Sequence, residues 1–77
     1  NPFNPTTEIA FFMPQDGDAD LRVYDMLGRE VALLARGRFA AGVHTVIFDA
    51  RGLQSGSYFA VLRSGADTRL RRMILMK

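Results

Sequence analysis

Apolar residues along the chain fall into short runs of strand length, separated by clusters of glycine, aspartate and proline at intervals of about ten residues. That spacing belongs to an all-β sandwich or barrel. Six segments qualify, at residues 6–13, 19–25, 30–35, 43–48, 57–63 and 68–76. In the second, Leu21 and Val23 alternate with Asp20, Arg22 and Tyr24, so one face is directed at a core. The fifth is apolar on both faces, with Tyr58, Ala60 and Leu62 on one and Phe59 and Val61 on the other, which predicts a central strand. The third holds good helix formers and could wind into two helical turns. It is too short to be stable as a lone helix, and the turns on either side favour a strand. The expected core includes Leu21, Val23, Val46, Phe48, Tyr58 and Leu62.

Turn chemistry marks the joints. Asp16-Gly17 closes the first hairpin, Met26-Leu27-Gly28-Arg29 the second, Gly42 leads into the fourth segment, and Gly56 ends a longer connection over residues 49–56. At Gly28 a tight hairpin calls for positive φ. The opening Asn1-Pro2-Phe3-Asn4-Pro5-Thr6-Thr7 carries two prolines, which bias it to an extended, rigid lead-in to the first strand.

The chain has 77 residues, enough for one domain (1–77) and close to the lower limit for a single apolar core. With 48% hydrophobic and 23% charged residues it should fold. The absence of cysteine excludes disulfides, thiolate metal sites and a cysteine nucleophile. No apolar run nears the roughly 18 residues of a membrane-spanning helix, so membrane insertion is not expected. The chain begins at Asn1 without an initiator methionine, which suggests a piece of a longer protein. The net charge is only +2, but it is unevenly placed, with Arg69, Arg71 and Arg72 close to the C-terminus.

Candidate chemistry is sparse. Asp16, Asp18 and Asp20 alternate like the opening of a calcium loop, yet Leu21 and Leu27 stand where that loop requires glycine and a bidentate glutamate. A solvated hairpin turn is the better reading. His44 is the only histidine and is expected to be a partly exposed strand residue. Gly52-Leu-Gln-Ser-Gly56 has its serine next to a glycine and ahead of a strand, unlike a nucleophile elbow, which opens a helix. No catalytic residue, metal site or cofactor is therefore expected. The aromatic residues alternate within strands and read as core in preference to a sugar-stacking face or a nucleic-acid platform. The arginines of the last segment read equally as an edge that resists aggregation and as a recognition surface.

Taken together, Asn1-Pro-Phe-Asn-Pro-Thr-Thr7, Leu21-Arg-Val-Tyr-Asp-Met-Leu-Gly-Arg-Glu-Val31, Ala41-Gly42 with His44-Thr-Val46, Leu53 with Ser55-Gly56-Ser-Tyr58, and Arg72-Met-Ile-Leu-Met-Lys77 resemble the type A C-terminal sorting domain of the type IX (Por) secretion system. The resemblance covers essentially the whole chain. It implies a seven-stranded, immunoglobulin-like antiparallel β-sandwich at the C-terminus of a secreted enzyme or adhesin. It further implies that the domain carries N-terminal passenger domains from the periplasm across the outer membrane, with partners in the secretion machinery and in a surface sortase-like protease that removes it. The passenger would then be secreted or held at the cell surface. The expected recognition residues are Arg71, Arg72 and Lys77, with Asp25, Gly28, Gly42 and Gly56 as structural turn residues. A related immunoglobulin-like domain of flagellar hook-capping proteins keeps open a structural module, and a non-catalytic carbohydrate-binding module is a further alternative.

Overall fold

The computed structural model describes residues 6–76. Within them the chain forms six β-strands and no helix: β1 (Thr6–Met13), β2 (Gly17–Tyr24), β3 (Glu30–Phe39), β4 (Gly42–Asp49), β5 (Gly56–Ser64) and β6 (Asp67–Leu75). All pairings are antiparallel. β1 pairs with β4, and a four-stranded sheet runs in the order β3-β2-β5-β6. The arrangement is an immunoglobulin-like β-sandwich. β5 is interior to its sheet, as its two apolar faces require.

The first strand matches the expected bounds, and the others run one to four residues longer at one or both ends or shift by a residue. Gly42 and Gly56 are the first residues of β4 and β5 and are paired across their sheets with Met13 and Leu75, so each opens a strand at the turn it was expected to mark. β3 is the largest extension, continuing through Gly37 to Phe39. Backbone pairing with β2 accounts for this, because Ala19 stands opposite Gly37 and Gly17 opposite Phe39. The lead-in residues 1–5 and Lys77 lie outside the described residues.

The core lies between the sheets. Ile9, Phe11 and Met13 of β1, Ala19, Leu21 and Val23 of β2, Phe48 of β4, and Tyr58, Ala60 and Leu62 of β5 are buried, with Ala50 beside them. Five of the six expected core residues are among them. Val46 is only half-buried and packs against the cluster from β4, which is an edge strand of the two-stranded sheet. No buried polar or charged residue is present among the described residues, so apolar burial and backbone pairing carry the stability.

Two local devices shape the connections. In the β2–β3 turn, the Gly28 amide donates to the Asp25 carbonyl at 3.0 Å, and Gly28 then turns the chain with a φ of 81°. That conformation costs a residue with a Cβ about 1–2 kcal/mol, which is why glycine stands there. The long β4–β5 connection crosses from one sheet to the other. It is pinned where the Tyr58 hydroxyl donates to the Gln54 carbonyl at 2.7 Å, the arrangement known in immunoglobulin-like sandwiches as a tyrosine corner.

Candidate recognition surface

Segments far apart in sequence meet at one end of the sandwich. Thr6 stands opposite Asp49, Tyr24 opposite Phe59, and Gly56 opposite Leu75. The start of β1, the β2–β3 turn, the β4–β5 connection and the end of β6 are therefore neighbours. These are the places where most of the sequence motifs fall.

Asp25 organises the turn at this end. Its Oδ1 accepts the backbone amides of Leu27 at 2.9 Å and Arg29 at 3.0 Å, and its Oδ2 accepts Nε of Arg29 at 2.8 Å. The Arg29 amide hydrogen bond leads in holding the Asp25 carboxyl below its ordinary value, with smaller help from the Arg29 guanidinium and the Leu27 amide against partial desolvation. Asp49 and Arg51 form a second local pair at 2.7 Å in the β4–β5 connection. The hydrogen bond to Asp49 raises the Arg51 guanidinium further above its ordinary value.

The expected recognition residues do not form one cluster. Side chains alternate across a strand, so Arg71 and Arg72 point to opposite faces of β6. Arg71 stands opposite Ala60, and Arg69 opposite Leu62, both core residues of β5, so these two arginines overhang the inner face. Arg72 stands opposite Phe59 on the outer face, where its guanidinium donates to the Ser57 hydroxyl at 3.1 Å. Lys77 lies outside the described residues. A strict two-residue period over residues 69–75 carried this division all along, since Arg69, Arg71, Met73 and Leu75 must share one face.

The three alternating aspartates do not converge. The Asp16 carboxylate accepts the Ala41 amide at 2.8 Å and ties the β1–β2 turn to the β3–β4 turn. Asp18 stands opposite Arg38, and Asp20 lies between Arg36 and Arg63 in the sheet, its Oδ1 accepting Nε of Arg22 at 3.1 Å. Arg22 also reaches Glu30 at 2.7 Å, and that hydrogen bond leads in raising its pKa. Among the described residues no group of three histidine, aspartate or glutamate side chains could hold a metal ion. His44 is half-buried, its ring stacked on Phe11 with centroids 5.3 Å apart and edge-on to Phe39 at 5.2 Å. Its Nε2 donates to the Ala40 carbonyl at 2.7 Å, a packing role that the lone histidine in the sequence did not disclose.

Residues 1–76 match the family described as secretion system C-terminal sorting domain. The chain belongs to this family. No curated protein and no solved structure matches it. The match spans all six strands. Sorting domains of this family are non-catalytic signals of the type IX system and belong to proteins that are secreted or displayed at the cell surface by way of the outer membrane.

Proposed function

We propose that this domain carries a passenger protein joined ahead of it from the periplasm across the outer membrane through the type IX machinery. A sortase-like protease at the surface then removes the domain, and the passenger is released or anchored there. The supporting observation is that the family match extends over residues 1–76 and takes in all six strands of one sandwich, with most of the described sequence motifs at one end of it. A signal assembled in this way is read as a shape. Arg71 and Arg72 of the last strand, together with Lys77, supply the positive charge that the machinery meets.

Fusing residues 1–77 to a periplasmic reporter in a type IX-competent host tests this reading. The full domain should bring the reporter to the surface or medium, and deletion of residues 73–77 should leave it in the periplasm. Replacing Arg71, Arg72 and Lys77 by glutamine should reduce export while circular dichroism and melting temperature stay at the parent values. A full-length fusion that never leaves the periplasm refutes the sorting role. Normal export of the glutamine variant refutes the assignment of those three residues.

A further inference from the structure

β3 and β4 meet across the turn that joins them, and on the opposite side the edges of β1 and β6 share no hydrogen-bonded pairing among the described residues, leaving an open seam. Hollows follow this open seam. One lies between Phe12 and Asp67, a groove of about 300 Å³ lies between β1 and Arg69 and Arg71, and another of about 370 Å³ lies between Thr6 and Met76. The start of β1 is thus beside the end of β6, and the two unpaired edges run antiparallel with an apolar channel between them. A strand edge presents free N–H and C=O groups, a ready template for another strand.

Two charges stand over the apolar floor. Arg69 and Arg71 line the middle groove together with Ile9, Phe11, Leu21 and Leu62, and no acidic residue lines it. Among the described residues neither arginine makes an ion pair or a side-chain hydrogen bond. Leu70 and Ile74, 64% and 65% exposed, flank the same edge on the outer face.

We infer that this seam is a docking site for an extended acidic segment of a separate protein, which adds to the free edge of β6 as a further strand. Two of its carboxylates, two residues apart, face Arg69 and Arg71. The spacing is matched by construction, since same-face side chains repeat every two residues, about 6.6–6.8 Å, on both strands. The side chain between those two carboxylates falls beside Leu70, with Arg72 and Ile74 further along the same outer face, so the segment alternates acidic and apolar residues where it meets Arg69, Leu70 and Arg71. A second copy of the domain is a poorer occupant. Pairing β6 with its own copy about Leu70 sets Arg69 against Arg71, and like charges directly opposite are destabilising. In that register the same two arginines disfavour self-pairing, and they select an acidic strand. This binding stands whether or not the domain routes a passenger.

The test is therefore made in solution, with the 77-residue chain and a dye-labelled peptide of about eight residues alternating valine and glutamate, long enough to span the edge. Anisotropy should show saturable binding, and amide exchange should slow over residues 69–75. A peptide with glutamine in place of glutamate, or the Arg69→Gln/Arg71→Gln variant, should bind at least about tenfold more weakly. The Arg69→Glu/Arg71→Glu variant should lose the glutamate peptide and take up one alternating valine and lysine, which excludes misfolding as the cause. The inference is overturned by no binding at about 1 mM peptide, by equal binding of the glutamine peptide, or by protection confined to other strands. Self-association of the parent chain that protects residues 69–75 without peptide overturns it too.

Discussion

Replacing Tyr58 by phenylalanine isolates the hydrogen bond that pins the crossover between the sheets. The ring is only 7% exposed and phenylalanine keeps it, so the apolar burial of the position is conserved. What is lost is the 2.7 Å bond to the Gln54 carbonyl. A net contribution of about 1 kcal/mol is usual for such a bond, and leaving the carbonyl unsatisfied moves the cost upward within about 1–3 kcal/mol. Partial access of water at this surface corner holds the expectation near 1–1.5 kcal/mol. For a chain of this size each kcal/mol moves the melting temperature by about 4–8 °C, so differential scanning calorimetry should resolve the change. Tyr58→Ala is the reference, because it also empties the ring's volume and should cost about 3–5 kcal/mol. If the phenylalanine variant melts with the parent, the corner does not pin the connection. If it melts with the alanine variant, the hydroxyl does more than this one bond accounts for.

Two further substitutions probe the core and the turn. Val23 is 0% exposed, and Val23→Ala should cost about 2–3 kcal/mol from lost burial and the cavity left behind, a large part of the roughly 4–12 kcal/mol expected for this length; urea denaturation showing under 1 kcal/mol would contradict the burial. Asp25 titrates below its ordinary value of 3.8 when folded, so it stabilises the fold above that pH and loses its contribution as pH falls through the lowered value. Asp25→Asn should lower the melting temperature at neutral pH and flatten the acid limb of a stability profile, whereas an unchanged acid limb would show that the Arg29 and Leu27 amides do not need the charge.

Strand positions were legible because most faces obey a two-residue period. Leu21 and Val23 of β2, and Tyr58, Ala60 and Leu62 of β5, are buried in the order their alternation predicts. β3 was ambiguous for a definite reason. Its pairing with β2 skips Leu34 between Leu33 and Ala35, and Val31 between Glu30 and Ala32. These two bulged residues lie three apart, so the half-buried positions Val31, Ala32, Leu34 and Ala35 repeat at helical spacing although the backbone is extended. Bulges are set by the partner strand, and no local pattern announces them. The turn at Gly28 was legible from its residue type. The duties of Asp16 and Tyr58 were not, since the first depends on Ala41, 25 positions away, and the second on a carbonyl.

The residues expected to serve recognition pose a related problem at β6. Read linearly, Arg69, Arg71 and Arg72 are one basic cluster. The pleat separates them, placing Arg69 and Arg71 over the open seam and Arg72 on the outer face beside Ser57. Folding thus converts a run of charge into two surfaces with different chemistry, one over an apolar groove, the other hydrogen-bonded to Ser57. It follows that the order of the arginines matters as well as their number. A signal of net charge would tolerate moving an arginine by one position along the strand. A signal read on the folded seam would not, because a shift of one residue carries the guanidinium through the sheet to the opposite face.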